Sequence, residues 1–193
     1  MKSKIHEHKN HIKMRVSKKI FLTLTLTIAA AATAYSQVAI GKSSVSTPSV
    51  SLEFYDGADN AKALILPWVN SESAVSGAVD GTVIYDTTDK KVKYKKGGTW
   101  FDLSVDTTGV VDTSLQSGLT ENASAKAQIG GNPATDTTPG MLVLSDTDKA
   151  MVLPKVASPH LKIIKPEPGT IAYDTVSKQL AVFNGTVWSF WKP

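Results

Sequence analysis

Apolar and polar residues alternate with a period of two in several short runs of this chain, which predicts β-strands rather than helices. Residues 50–55 read as a half-buried strand. Residues 82–86 and 91–95 read as the two arms of a hairpin. After the Gly97-Gly98 turn, residues 99–103 supply a third strand. Because no convincing helical period appears, the fold class predicted is mainly β.

This strand-hairpin-strand pattern occurs twice. Residues 81–100 recur as residues 169–188 at a constant offset of 88 (169 − 81 = 88), with eight identities in twenty positions. Upstream, residues 62–67 recur as 149–154 at an offset of 87. The repetition predicts two homologous β-meander modules joined by an extended Ser/Thr/Gly-rich segment. The predicted boundaries follow: module 1 at 37–104 (the first copy), the joining segment at 105–126, and module 2 at 127–193 (the second copy).

The two hairpins differ in their second strand. Alternation places Val92 on one face of the first hairpin and the lysines at 91, 93 and 95 on the other. In the second copy Ala181 and Phe183 replace two of those lysines, so this strand is apolar on both faces. We therefore expect the second copy to be covered on both sides, by the first copy or by another subunit. The joining segment is open to two interpretations, a flexible linker or packed extended structure.

The N-terminus predicts a secretory signal peptide at 1–36. A basic stretch around Arg15 precedes an apolar run of about 15 residues, and small residues then place the cleavage between Ser36 and Gln37. Cleavage after Ala34 is the near alternative, and Met14 is a candidate for the true start. An uncleaved membrane anchor is the other interpretation, but the run is shorter than the roughly 20 residues that a span needs.

Removing 1–36 changes the charge of the chain. The segment holds seven basic residues and one acidic residue, which leaves 21 − 7 = 14 basic and 17 − 1 = 16 acidic residues, a net charge of −2. Residues 37–193 contain no arginine, the usual ligand of phosphate, which argues against nucleic acid as a partner. The chain has no cysteine, which excludes disulfides, thiolate metal sites and cysteine nucleophiles.

Candidate chemistry is sparse. His160 is the single histidine of residues 37–193, and it lies in a polar loop outside the repeated hairpins, so we predict no catalytic residues. Two acidic groups could offer oxygen ligands to calcium, but neither follows the calcium-loop pattern, so we predict turn formation and no metal or other cofactor. These groups are Asp56, Asp59 and Asn60, and separately Asp146 and Asp148.

Lysines and tryptophans remain as candidates for surface contact. The basic cluster at Lys90, Lys91, Lys93, Lys95 and Lys96 could touch an anionic glycan, but we expect a solvated strand face. Trp100 and Trp188 occupy equivalent positions and are expected in the core. Trp68 and Trp191 have no tryptophan counterpart in the other copy, which makes them the weak candidates for ligand binding.

The repeated motif resembles modules of secreted bacterial proteins and phage tail-fibre-like proteins. The matching residues in the first copy are Ile40-Gly41, Pro48, 51–53, Lys62, 64–67, 81–87 and 97–100. In the second copy they are Ile129-Gly130, Lys149, 151–154, 169–175, 184–186 and Trp188. Trp68 and Lys155 stand where the family usually has arginine. The resemblance implies a surface or fibre component, often trimeric, without enzymatic activity.

Together these observations predict a secreted, non-enzymatic structural or adhesive protein. We expect it outside the cell or at the cell surface, with the periplasm also open, and without a membrane span after processing. The expected partners are further copies of the chain in a homotrimer, and a surface glycan or another surface protein. The alternative function is a monomeric carbohydrate-binding module.

Overall fold

A computed structural model describes residues 37–114, 116–120, 122 and 124–192, so the predicted leader, including Ser36, lies outside the described residues. The prediction of a mainly β chain is confirmed within this part. The strands of the first copy are β1 (Val38–Ile40), β2 (Val50–Phe54), β3 (Leu64–Ile65), β4 (Trp68–Val69), β5 (Val83–Asp86), β6 (Lys91–Lys96) and β7 (Thr99–Asp102). Those of the second copy are β8 (Ala127–Ile129), β9 (Leu142–Leu144), β10 (Ala150–Val152), β11 (Lys155–Val156), β12 (Thr170–Asp174), β13 (Gln179–Phe183) and β14 (Trp188–Trp191).

Both copies contain the expected meander, and its strands pair in the same register. The first sheet runs β4-β5-β6-β7, and the second includes β11-β12-β13-β14. In each sheet the outermost pair is parallel, joining Trp68 to Tyr85 and Lys155 to Tyr173. The hairpin turns also agree, because Lys90 and Lys178 both adopt a positive φ, of 58° and 57°. Regular helix is short in the described residues: a 3-10 turn at Glu72–Ala74 and α1 (Pro159–Lys162).

The remaining short strands connect the two copies. Strand β2 lies between β1 and β10, and both pairings are parallel. Strand β3 of the first copy pairs antiparallel with β12 of the second, and β8 pairs with β9. Residues 36–193 consequently form one compact unit. The division into two modules stays a prediction about the repeated sequence, since strands of both copies share sheets.

The core lies where the two hairpins face each other. The first copy contributes Tyr85 and Val92, both 0% exposed, and the second contributes Ile171 and Val182. The Tyr85 hydroxyl donates to the main-chain oxygen of Asn184 at 2.8 Å, which ties the copies together at their centre. The expectation that the first copy covers one side of the second hairpin is therefore confirmed.

The other side of the second hairpin is covered by its own chain. Ala181 is fully buried, and Phe183 is nearly so. The Phe183 ring lies 5.3 Å from the Trp188 ring, centroid to centroid, and Phe190 contacts His160 from α1. Burial of β13 thus requires no second subunit.

The beginning of the joining segment is packed rather than free. We call residues 104–111 the strap. The Ser189 hydroxyl accepts a hydrogen bond from the Val105 N–H at 3.1 Å, and Asn184 donates its side-chain amide to the Asp106 main-chain oxygen at 3.3 Å. Gly109 is buried, and Val111 packs against the core. Beyond the strap, the described residues up to Lys126 are exposed. The packed interpretation therefore holds for the strap, although it forms no strand.

Candidate functional site

The outer face of the first hairpin carries a buried lysine among carboxylates. Lys93 Nζ lies 2.5 Å from Asp89 Oδ2, 2.9 Å from Glu72 Oε2 and 3.5 Å from Asp102 Oδ1. Asp86, also buried, is 4.0 Å away through Oδ2. We call these five residues the charge cluster. Strand alternation places Lys93 on the face away from the core, and the 3-10 turn carrying Glu72 folds over it.

The charge cluster holds Lys93 in its protonated form. Burial alone would lower the pKa of Lys93, but the hydrogen bonds to Asp89 and Glu72 outweigh it and raise the pKa well above its usual value. Burial would raise the pKa of Asp102, but Lys91 and Lys93 hold it below the ordinary range. Four carboxylates around one ammonium make this the most charged site of the first copy's outer face.

The charge cluster also has the donor set of a cation site, occupied by the lysine. Carboxylate oxygens of Glu72, Asp86 and Asp89 lie within 4.8 Å of one another, a spacing that suits a hard cation. The Lys93 ammonium lies among them and supplies the positive charge. The site therefore fits an internal ion-pair network, with the ammonium where a metal ion would lie.

The acidic groups singled out in the sequence are engaged in the fold. Asp56 pairs with Lys42 at 3.1 Å, and Asp59 accepts the Tyr55 hydroxyl at 2.7 Å. Asn60 donates its side-chain amide to the main-chain oxygens of Tyr55 and Lys155. In the second group, Asp146 accepts the Ser51 hydroxyl at 3.0 Å and pairs with Lys149, as Asp148 also does. These contacts agree with a role in turns and ion pairs.

The predicted solvated lysine face is only partly correct. Lys90 and Lys96 are exposed. Lys91 pairs with Asp102 at 2.5 Å, and Lys95 donates to the Ala78 main-chain oxygen at 2.9 Å while its ammonium lies over the Trp100 ring. The prediction was wrong for Lys93, because the turn at Glu72 covers a strand position that alternation alone assigns to solvent.

The equivalent face of the second hairpin is aromatic instead of charged. At the offset of 88, Lys93 and Asp102 correspond to Ala181 and Phe190 (93 + 88 = 181, 102 + 88 = 190), and α1 with His160 occupies the place in the element order of the 3-10 turn that carries Glu72. The His160 and Phe190 rings meet edge to face, with centroids 5.6 Å apart. Trp188 and Phe190 stack at 6.4 Å with an interplanar angle of 25°. We call Trp188, Phe190 and His160 the aromatic row.

Asp174, the counterpart of Asp86, is held without a lysine. Its Oδ1 accepts the backbone N–H groups of Ser158, Val176 and Ser177, while its buried Oδ2 has no partner in the described residues. Burial would raise the pKa of Asp174, but these backbone hydrogen bonds outweigh it and lower the pKa. Both copies therefore keep the aspartate of the hairpin turn. A lysine helps to compensate its buried negative charge in the first copy, and backbone N–H groups alone do so in the second.

Three of the four tryptophans differ from the positions that the sequence suggested, whereas Trp191 lies at the surface as expected. Trp68 is half-buried against the core, and its indole N–H donates to the Pro168 main-chain oxygen at 2.6 Å, so it joins the two copies rather than offering a free surface. Trp191 is 41% exposed and donates to the Leu103 main-chain oxygen. Trp100 and Trp188 lie half-buried on the outer faces, so their placement in the core was wrong.

Sequence reasoning missed the aromatic row. Trp188 was assigned to the core, and His160 was expected to be a loop histidine without a catalytic role. His160 is exposed on α1, with Phe190 as its aromatic neighbour. Part of the signal was present, since the offset of 88 pairs Trp188 with Trp100 and Phe190 with Asp102. Gln37, at the predicted cleavage point, donates its side-chain amide to the Pro48 and Val50 main-chain oxygens at 2.8 Å, and the cleavage itself stays a prediction.

Neither a protein-family model, a curated protein nor a solved structure matches this chain. The resemblance to tail-fibre-like modules therefore rests on the motif residues alone. In the part of the chain that the structure describes, no helix has the length and apolar character needed to cross a membrane.

Proposed function

We propose that this chain is a secreted, non-enzymatic structural or adhesive protein of the bacterial surface, which acts by assembling into a homotrimer and making several weak contacts at once. The leader directs it out of the cell, with the cell surface or extracellular space as its destination. Multiple weak sites on one particle raise avidity without a strong single site.

The aromatic row is the observation that carries this proposal. Three aromatic side chains lie side by side on the outer face of β14 and α1, where the first copy has charged groups. Aromatic faces stack on the apolar faces of sugar rings, and the indole N–H adds a polar contact. A surface glycan is therefore the ligand class that this face suits best.

Exposed apolar residues support assembly. Several lie on or beside the parallel strands of both copies, where their exposed side chains are available for contact with another subunit. They are Val38, Ile40, Met141, Leu142 and Met151.

A glycan array with matched variants tests the contact. We expect Trp188→Ala to weaken binding about fivefold, because one stacked aromatic contributes roughly 1 kcal/mol. Trp100→Ala is the control, since it removes the equivalent tryptophan from the charged face and should leave binding unchanged. Equal losses in both variants, or no glycan binding by the wild-type protein, would contradict the proposed contact.

The alternative is a monomeric carbohydrate-binding module, and the same aromatic row favours it. The two functions predict different molecular masses for the protein in solution. Light scattering on the exported protein should show a trimer for the adhesive protein and a monomer for the module, and the array decides whether glycan binding survives in the monomer.

A further inference from the structure

The two hairpins pack through different halves of the same face. At the offset of 88, Tyr85 and Val92 of the first copy correspond to Tyr173 and Leu180, and Val83 and Tyr94 correspond to Ile171 and Val182. The first copy buries Tyr85 and Val92, whereas the second buries Ile171 and Val182. The contact is therefore head to tail: the half nearer the hairpin turn in one copy meets the opposite half in the next.

Each copy keeps its other half at the margin of the core, where Val83 and Leu180 pack against the buried cluster and Tyr94 and Tyr173 do not. We call the half at Tyr173 and Leu180 the trailing half, and the half at Val83 and Tyr94 the leading half. All four residues are only partly buried. Their neighbours Trp191 and Phe101 are 41% and 43% exposed, and Tyr94 stacks on Phe101 at 5.5 Å. The outer part of each half, at Tyr173 and Trp191 in the second copy and at Tyr94 and Phe101 in the first, therefore stays partly exposed.

The glycines show the same asymmetry. A Cβ on Gly169 would lie 2.8 Å from Tyr85 Cβ, so the glycine lets the first copy approach closely. A Cβ on the equivalent Gly81 would meet nothing within 4 Å. Both glycines have a positive φ, so Gly81 has the same backbone shape as Gly169 with an open surface beside it.

Backbone pairing completes the comparison. The Leu66 N–H donates to Gly169 O at 3.0 Å and continues the pairing of β3 with β12. Gly81 O accepts no backbone N–H in the described residues. The counterpart of β3 in the second copy is β10, which pairs with β2 along one edge. The first copy therefore has an open strand edge at 81–83. The second copy has β10, the counterpart of the strand that pairs at the equivalent edge of β12.

We propose that a second copy of this chain docks on these surfaces, with the trailing half and β10 of one chain against the leading half and the 81–83 edge of the next. The docking rests on the proposed assembly and names the surfaces that make it. Because the two surfaces differ, the contact is heterologous, and it closes a ring of three if each step turns by a third of a circle.

Engineered cysteines test the docking in a chain that has none of its own. Ile65 faces Thr170 across β3 and β12, and the equivalent positions across two chains are Val152 and Thr82 (65 + 87 = 152, 170 − 88 = 82). The exported double variant Thr82→Cys with Val152→Cys should form covalent dimers and trimers on oxidation, since directly opposed strand residues have the spacing of a disulfide. Ile65→Cys with Thr170→Cys is the matched control and should close within one chain.

Mixing the single variants tests the direction of the contact. Thr82→Cys or Val152→Cys alone should give no covalent product, whereas a mixture should give a dimer and nothing larger. A dimer formed by either single variant, or no product from the double variant while the wild-type protein sediments as an oligomer, would overturn head-to-tail docking and leave the proposed assembly in place. A wild-type protein that stays monomeric at every concentration would remove both.

Discussion

The outer faces of the two hairpins have the same backbone and opposite chemistry. In the first copy Lys93 neutralises carboxylates from three directions, whereas in the second Ala181 leaves room for an aromatic row. The turn aspartate stays in both, held by backbone N–H groups in each case. The comparison shows that the turn needs its aspartate, while the strand face beside it is free to diverge from ion pairing to aromatic contact.

The inner faces differ in environment even where the residue is the same, as at Tyr85 and Tyr173, and the largest predicted effect tests this. Tyr85 is fully buried between the copies, whereas Tyr173, in the trailing half of the second copy, is half-buried. Tyr85→Ala should lower the free energy of unfolding by about 4 kcal/mol, the cost of emptying a large aromatic site, and Tyr173→Ala by roughly 1 kcal/mol. Urea unfolding of both variants measures the difference, and equal costs would contradict the head-to-tail core.

The next prediction concerns Lys93→Ala, which gives the first hairpin the alanine that the second has at the equivalent Ala181. Lys93→Ala leaves the buried Asp86 carboxylate beside those of Glu72 and Asp89 without a cation, while Asp102 keeps its pairing with Lys91. We expect a loss of about 3 kcal/mol in the free energy of unfolding, at the low end for a broken buried pair because Glu72 and Asp89 are partly exposed.

Adding calcium provides a second test of the Lys93→Ala variant. With the ammonium removed, millimolar calcium should recover part of the lost stability in Lys93→Ala and leave the wild-type protein unchanged, since the carboxylate spacing suits a hard cation. Lys96→Ala, an exposed lysine on the same strand, is the control and should cost less than about 0.5 kcal/mol. A Lys93→Ala protein as stable as this control would show that the charge cluster does not stabilise the fold.

The strap distinguishes the turns that precede β7 and β14, because a Cβ on Gly185 would meet Val110 of the strap, whereas a Cβ on the equivalent Gly97 would meet nothing within 4 Å. A Cβ at Gly109 would lie 2.5 Å from Asn184 O and 2.7 Å from Lys90 O, both backbone atoms. Gly109→Ala should cost about 2 kcal/mol of unfolding free energy, the usual effect of overpacking, and Thr107→Ala close to nothing. Thermal melts followed by circular dichroism measure both, and a neutral Gly109→Ala would indicate a loosely attached strap.

The smallest effect concerns pH. Because the folded pKa of Asp174 is lowered, its contribution is present above the unfolded pKa and lost as the pH falls through the folded one. Asp174→Asn should keep the acceptor for the three N–H groups and reduce the loss of stability on acidification. Chemical denaturation between about pH 6 and pH 3 follows this, and Asp148→Asn, on an exposed carboxylate, should leave the profile unchanged.

The local part of this fold could be read from the sequence. Alternation around Tyr85 and Tyr173, with turn residues between the arms, predicts both hairpins, and they are present in the expected register. Because residues 81–100 align with residues 169–188 without a gap, strands predicted in one copy are predicted at the equivalent positions of the other. Hairpins are set by neighbours in the chain, which is why a single sequence reveals them.

The distant pairings could not be read in the same way. Strands β3 and β4 contain two residues each, too few for a periodic signal, and their partners follow elsewhere in the chain. Parallel pairing of Val50 with Ala150 leaves no local mark, since no turn joins such strands. Lys93 was misplaced for a related reason: alternation describes one strand and is blind to the turn at Glu72 that covers it.

The parallel ladder of β2 with β10 has a consequence for biogenesis. Residues 50–54 emerge early from the ribosome and from any export channel, yet their second neighbour is encoded about a hundred residues later. The meander of the first copy can form from residues 83–102 alone, whereas β2 lacks one of its two neighbours until residues 150–152 have been made. Completion of this sheet is therefore timed by synthesis of the second copy and not of the first.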